Sequence, residues 1–595
     1  MSEEKSEHNF HIPVMGTGFT VDTPQKVAKY GISAVISLAD DILIERMRKF
    51  WCEKSNEPYV AIDIKDQDCR ANRITAYLNL VKKIVEKQIK QLKASVFAEK
   101  SEITNYFEML PNTPSKQNYQ KMLAEKDPSI KLKMQEQLRN EVVPGSIDVN
   151  IMTKLDQPHY ASDNTMLPYM FCDAAAALRG YANSDLCSTI IFSAGFNPHL
   201  YGYTAAFKDF FPDENGGLKK KICLKVSDYR SAAIQGKYLA KHGLWVSEYR
   251  IESPLNCGGH AFINDGQLLG PILEEFKQCK DNLIETLYSF YQTALRNLKK
   301  LCLDTPPSVR FTAQGGVGIN AEHELLIKYY GLDAVGWGTP FLLVPEATNV
   351  DDLHLQKLIN ARIEDVFLSS SSPLGVPFWN LFNSSSEEAR RERIQKGTPG
   401  SICCKGYARI DREFTEKPIC KASREFQQLK LAELEKLNLP LEQVNARRED
   451  ILNKSCICQD LAGGAAIKNN LGMKAPSAIC PGPNIINFKK VMTLKEIVNH
   501  IYGRCSEIVN SDRPNLFISE IQLQLNYLLS EIKNSYLGLP ARSQQKLLEV
   551  KENIKKGIEY YQSLANDLIK EQQDKFLASL QALKEEIEKI SLASI

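Results

Sequence analysis

The sequence predicts an α/β fold: a closed (β/α)8 TIM barrel that carries a helical insertion, a cysteine-rich segment and an α-helical C-terminal tail. Three observations predict it. Between Phe10 and about Leu374, short runs of apolar and β-branched residues are followed by glycine-rich or polar turns and then by amphipathic stretches, eight times over. That alternation implies parallel strands joined by crossover helices. The chain has 595 residues, too many for one ordinary domain, so further units must add to the barrel. Outside the eight units the apolar residues recur mostly at helical spacing. A doubly wound open sheet is the alternative arrangement of the same units.

The units are HIPVMGTGF with a helix from Thr23, YGISAVISL, GSIDVNIM, STIIFSAGF, KKKICLKVSD, GLWVSEYRI, SVRFTAQGGVG and GLDAVGWGTPFLL. In a barrel the carboxyl ends of all eight strands share one face, and the active site lies there. Between the second and third units, about residues 66–142, Ile74, Tyr77, Val81, Ile84, Ile89 and Leu92 recur at helical spacing, so this stretch reads as a helical insertion. Its other face carries Lys82, Lys83, Lys87, Lys90 and Lys93 mixed with Glu86. Mixed charge of that kind is normally solvated; phosphate binding is the other reading.

The barrel is assigned to residues 1–375, since LSSSSPLG at 368–375 and NSSSEEARRER at 383–393 read as a connection over the surface. Residues 376–510 form a cysteine-rich segment, with six of the fifteen cysteines between Cys403 and Cys480. Clustered thiolates in a reducing compartment suggest a soft metal or an iron–sulfur cluster. Cys404, Cys420, Cys456, Cys458 and Cys480 are the candidate ligands, with Cys403 as the alternative to its neighbour, although their spacing matches no standard set. Buried, unrelated thiols are the other reading. Residues 511–595 form a helical tail. Phe576, Leu580, Leu583, Ile587 and Ile590 make a seam there, which serves either packing on the chain itself or a homodimer contact.

Composition narrows the class. Hydrophobic residues at 43%, charged at 25% and aromatic at 9% match a globular chain and argue against a disordered or membrane-embedded one. No run of about eighteen apolar residues is present to span a bilayer. With 74 basic and 72 acidic residues the formal charge is +2, which gives no general field for nucleic acid. The polar start MSEEKSEHNF and the odd cysteine total suggest reduced thiols and a cytoplasmic location.

Three motifs carry chemistry. The first is QGGVG, Gln314 to Gly318, after one strand, paired with Gly338 and Thr339 after the next. Glycines at strand ends let backbone N–H groups approach an anion, and paired turns of this kind form the phosphate site of many barrels. Two tight turns without a ligand are the alternative. The second is NCGGHAF, which places Gly258, Gly259 and His260 at a strand end, where a histidine can exchange a proton near neutral pH. His11, His159, His199, His242, His323 and His354 have no comparable setting. The third is Gly16, Thr17 and Gly18, small residues that leave room for a planar group.

In order and spacing, HIPVMGTGFTVDTP, YGISAVISL, IDVNIM, IIFSAGF, CLKVSD, LWVSEYRIESPLNCGGHAF, FTAQGGVG and DAVGWGTPFL resemble the nitronate monooxygenase family, formerly 2-nitropropane dioxygenases, and the related flavin-type enoyl-acyl carrier protein reductases. The resemblance covers roughly the first 345 residues apart from the insertion. It implies an FMN-binding barrel. Gly16, Thr17 and Gly18 would line the isoalloxazine ring, with Asn150 reaching it from the third strand. Gln314, Gly315, Gly316, Gly338 and Thr339 would hold the phosphate end. Gly258 and Gly259 would lie close to the ring, and His260 would transfer the proton. Lys225, at the end of the fifth strand, would stabilise charge on reduced flavin or simply cap the strand. The family's usual Ala-Pro-Met is Gly-Thr-Gly here, and its phosphate-turn alanine is Gln314, which implies a non-standard substrate face.

The function expected is therefore an FMN-dependent, nitronate monooxygenase-like oxidoreductase acting on a small organic substrate. The alternatives are an iron–sulfur and FMN reductase of an enoyl thioester or an RNA base, and a non-catalytic scaffold on a degenerate barrel. An electron-donor protein is the expected partner of the reductase form.

Overall fold

A computed structural model describes residues 6–161, 163–193, 195–256, 258–505, 508–568 and 573–592 of the chain. The eight expected units supply eight parallel strands: β1 (Phe10–Ile12), β2 (Ser33–Ser37), β3 (Ile147–Met152), β4 (Ser188–Ser193), β5 (Lys220–Val226), β6 (Val246–Glu252), β7 (Arg310–Gln314) and β8 (Ala334–Gly336). They close into a barrel in sequence order. The seam sets Phe10 opposite Val335 and His11 opposite Gly336.

Closure explains the strand composition. Each strand has helices outside and the barrel lumen inside, so β6 is buried at every residue except its last, half-buried Glu252. The lumen is polar. Arg250 donates from Nε (2.9 Å) and Nη2 (2.8 Å) to Glu248 Oε1, and Thr312 Oγ1 donates to the same oxygen at 2.6 Å. Burial alone would push the Glu248 carboxyl up; the Arg250 and Arg310 charges overcome it and hold the group down at about 2. Gly336 faces this lumen, where an added Cβ would stand 2.6 Å from Gln314 Cβ and 2.9 Å from His11 Nε2.

The expected insertion divides in two. Its first helix, Cys69–Ala94, packs between helices Asp41–Ser55 and Asp173–Ala182 as part of the barrel's outer layer. Arg70 and Arg73 both reach Asp41 from it, at 2.6 and 2.9 Å. Helices Glu102–Met109, Pro114–Ala124 and Pro128–Glu141 then form a satellite around Tyr106, Phe107, Tyr119 and Leu138. The lysine face is solvated and paired, Lys82 with Glu86 and Lys83 with Glu57.

The serine-rich stretches do not run over the surface. Residues 366–381 make an antiparallel hairpin, β9 (Val366–Ser369) with β10 (Phe378–Leu381), and Ser371 and Ser372 are buried in its loop. Ser384 caps helix Ser385–Gln395 by accepting from Glu387 N. Small hydroxyls here satisfy buried backbone groups, a use that composition cannot distinguish from a solvated loop.

The tail helices are Leu516–Tyr536, Gln544–Leu568 and Gln573–Lys589. Phe576, Leu580, Leu583 and Ile587 are buried within the chain, and one apolar core runs from Phe10 to Leu592. No helix of the described residues is long and apolar enough to cross a membrane.

One close approach in the outer layer is at Gly180, where an added Cβ would lie 2.8 Å from both Ala71 O and Ile74 Cβ. Gly180→Leu is therefore expected to cost about 1–3 kcal/mol by overpacking, read as a lower urea midpoint.

Candidate active site

The strand alternation delivers one side chain per strand end to the mouth of the barrel. Ser37 of β2, Asn150 and Met152 of β3, Ser193 of β4 and Lys225 of β5 line a cavity of about 900 Å³, mouth included. Gly16 and Thr17, after β1, and Asn256, Gly258 and His260, after β6, complete its barrel side. A second cavity of about 260 Å³ is lined by Gln314, Gly315, Gly316, Gly338 and Thr339. Asn256 borders both, so they adjoin. Gly315 (φ 112°) and Gly316 (φ 81°) occupy backbone conformations that side chains rarely adopt.

Two predicted residues fall outside. Gly18 faces the chain beyond the barrel: an added Cβ would sit 2.4 Å from Leu461 O. Gly259 faces Phe378, whose ring would be 2.3 Å from such an atom. Their smallness serves close packing, which a motif cannot separate from ligand approach.

One carboxylate organises the polar side chains. Glu252 Oε1 accepts from Lys225 Nζ at 2.9 Å, Gln314 Nε2 at 2.7 Å and Asn256 Nδ2 at 2.5 Å. Because a carboxylate only accepts, both amides turn their nitrogens to it and their oxygens away. Asn150 is oriented likewise by Ser193, donating from Nδ2 at 3.1 Å. As a result Asn150 Oδ1, Asn256 Oδ1 and Thr17 Oγ1 are buried without partners, while Gln314 Oε1 faces the His11 ring. Buried polar atoms are rarely left so, and these three oxygens around the cavity are free to accept from a donor-rich ligand or from water.

His260 is held by the post-barrel hairpin. Its Nε2 lies 2.7 Å from Ser372 Oγ, and its ring meets Phe378 edge-on at 5.2 Å. Ala261 N donates to Pro377 O and Trp379 N to Gly259 O, both at 2.9 Å, so β10 fixes the backbone on either side. Burial, with Lys225 and Lys154 nearby, lowers the imidazole to about 4. At neutral pH it is an uncharged donor and acceptor, not an imidazolium acid.

The outer wall comes from residues past the barrel, which the sequence reading did not place here: Leu374, Tyr407, Ile457, Cys458 and Leu461. This cap is fastened by an ion pair of buried Lys405 with Asp40, and by Tyr407 Oη donating to Asp41 Oδ1 at 2.9 Å. A lysine and a tyrosine more than 360 positions from their carboxylates leave no local signal.

The described residues hold no group of three or more His, Cys, Asp or Glu side chains able to bind a metal. The expected set assembles only in part: Cys403, the alternative to Cys404, lies near Cys420, Cys456 and Cys458, whereas Cys404 and Cys480 stand apart from them. Cys404 is exposed beside Gln459, Cys480 is buried near Gly16, and burial pushes Cys420 up to about 11 and Cys456 and Cys480 to about 12, and raises Cys458 as well.

No family model matches the chain. No curated protein matches it either. Among solved structures it is similar to FabK from Thermotoga maritima, at 14% identity over 68% of this chain and 85% of that one, with a TM-score of 0.29. The enoyl reductase domain of MlnA from Bacillus amyloliquefaciens is also similar, at 14% identity over 70% and 89%, TM-score 0.33. So is a nitroalkane oxidase from Streptomyces ansochromogenes, at 12% identity over 58% and 87%, TM-score 0.25. Likeness at this level carries no argument about the reaction, which rests on the chain's own residues.

Folded His260 stays neutral while the unfolded residue charges near 6.5, so the unfolded state binds more protons between pH 6.5 and 4. The stability it contributes is present above about 6.5 and is lost as pH falls toward 4. His260→Asn is therefore expected to lose less stability than the wild type over that window, measured by urea unfolding at several pH values.

Proposed function

We propose that the chain is an FMN-dependent oxidoreductase whose substrate is a hydrocarbon-bearing conjugated carbonyl compound, an enoyl thioester in class. The observation that carries the flavin reading is the set of orphaned oxygens at Thr17, Asn150 and Asn256, continuous with the glycine turns. A polyol chain with hydroxyl donors satisfies such acceptors, and the terminal phosphate fits the backbone N–H groups of two glycine turns. Gly315, Gly316, Gly338 and Thr339 would hold the phosphate end; Asn256 and Gln314 the ribityl chain; Gly16, Thr17 and Asn150 the ring. Bound FMN would supply the hydride chemistry.

The chain's own groups do the rest. Leu155 and Phe262 of the barrel loops and Leu374, Ile457 and Leu461 of the cap give the cavity an apolar wall that favours an acyl chain over a compact, polar nitronate. It also keeps water from the reacting centre. His260, uncharged and fixed by Ser372, is placed to donate a hydrogen bond from a ring N–H to a carbonyl oxygen or to move a proton at that atom. Lys225 Nζ brings positive charge to the same wall, balanced by Glu252 at rest and available to developing negative charge.

The purified protein is expected to carry FMN that is released on denaturation. After anaerobic reduction with dithionite, a 2-enoyl thioester should restore the absorbance of oxidised flavin faster than a nitronate does. A protein that takes up no FMN defeats the reading; reoxidation by nitronate alone defeats the substrate class. His260→Asn should keep FMN and lower the reoxidation rate by about a hundredfold.

A further inference from the structure

The glycine turn that lines the smaller cavity is not self-supporting. Arg513, in the connection leading into the tail, has a side chain only 4% exposed and contacts the turn from behind. Its Nη2 donates to Gly316 O at 2.7 Å, its Nε to Asn484 Oδ1 at 2.8 Å, and its Nη1 pairs with Glu322 Oε1 at 2.7 Å. Glu322 in turn accepts from Gly318 N at 2.9 Å through Oε2 and from Leu516 N, the first residue of the tail helix, at 2.7 Å through Oε1. Asn484 donates to Val317 O at 3.2 Å. Three consecutive residues of the turn, Gly316, Val317 and Gly318, are thus tied to one network that includes the tail. An added Cβ on Gly318 would fall 2.4 Å from Arg513 Nε, so the guanidinium fills the space behind the turn.

A second link lies alongside. Glu520, one turn into the same tail helix, accepts from Ser253 Oγ at 2.7 Å and from Leu269 N at 2.8 Å. The carbonyl of Ser253 packs directly on Gly315, 2.8 Å from where its Cβ would be.

We propose that Arg513 is a positioning residue for the phosphate turn, so that docking of the helical tail and binding of a phosphate in the Gly315–Gly316 cradle are coupled. The proposal rests on the FMN reading above. A backbone turn at φ values unfavourable to most residues holds its N–H groups toward a ligand only if its carbonyls are held on the other side, and here the buried guanidinium and Asn484 do that. Coupling of this kind is reciprocal: what orders the turn for the phosphate must be ordered by the phosphate in return.

The test uses the full chain with FMN and with riboflavin, which lacks the phosphate. In the wild type, FMN should slow amide hydrogen exchange in the helix Leu516–Tyr536, and riboflavin should not. Arg513→Met should weaken FMN binding roughly tenfold or more while leaving riboflavin affinity unchanged, since a buried hydrogen bond to a charged group is lost at the turn alone. Arg513→Lys should fall between. Uptake of FMN by the wild type without protection of the tail, or an unchanged FMN-to-riboflavin ratio in folded Arg513→Met, overturns the coupling and leaves the cofactor reading standing. No uptake of FMN by the wild type overturns both. If Arg513→Met does not fold, the exchange comparison in the wild type decides.

Discussion

The site depends on the buried carboxylate of Glu252. One of its oxygens gathers a lysine from β5, an amide from β7 and an amide from the loop after β6. A carboxylate removed from water is tolerated when a cation and further donors compensate it, and all three are supplied from different elements. The same contacts determine what the cavity can recognise. Were the amides free to rotate, they would present a mixture of donors and acceptors; with their nitrogens committed to Glu252, they present oxygen only. The preference for a donor-rich ligand therefore comes from a residue that is not itself among the cavity-lining groups.

The barrel supplies one half of the site and the chain beyond it supplies the other. Hairpin β9–β10 fixes the backbone and the ring of His260, the Lys405–Asp40 pair fastens the cap, and Arg513 supports the glycine turn. Each joins residues more than 100 positions apart. The polar lumen contributes as well: the Glu248–Arg250 pair lies beneath the carboxyl-end layer and leaves Lys225 to pair with Glu252.

Much of this was legible in the sequence. All eight strands lie within short, largely apolar runs followed by glycine-rich or polar turns, a signal set by burial on both faces, and each appeared where expected. Gly16, Thr17, Asn150, Lys225, Gly258 and His260 converge on one cavity and Gln314, Gly315, Gly316, Gly338 and Thr339 on its neighbour, because position at a strand end fixes position in a barrel. The failures share a cause. Gly18 and Gly259 are small for packing against Leu461 and Phe378, serines within 368–386 are buried, and Cys404 and Cys480 stand apart from the cysteines around Cys420. In each case the deciding neighbour lies far along the chain, and composition is blind to it.

The single core that runs from Phe10 to Leu592 has a consequence for how the protein is made. All eight barrel strands have left the ribosome once Gly336 has emerged, yet the wall at Leu461, the packing over Gly18 and the support behind Gly316 belong to chain not yet synthesised. A nascent barrel is therefore a mouth without a lid and a glycine turn without its brace. The cavity is completed by chain that follows the barrel, and a message cut short before Leu461 yields a barrel without a finished site.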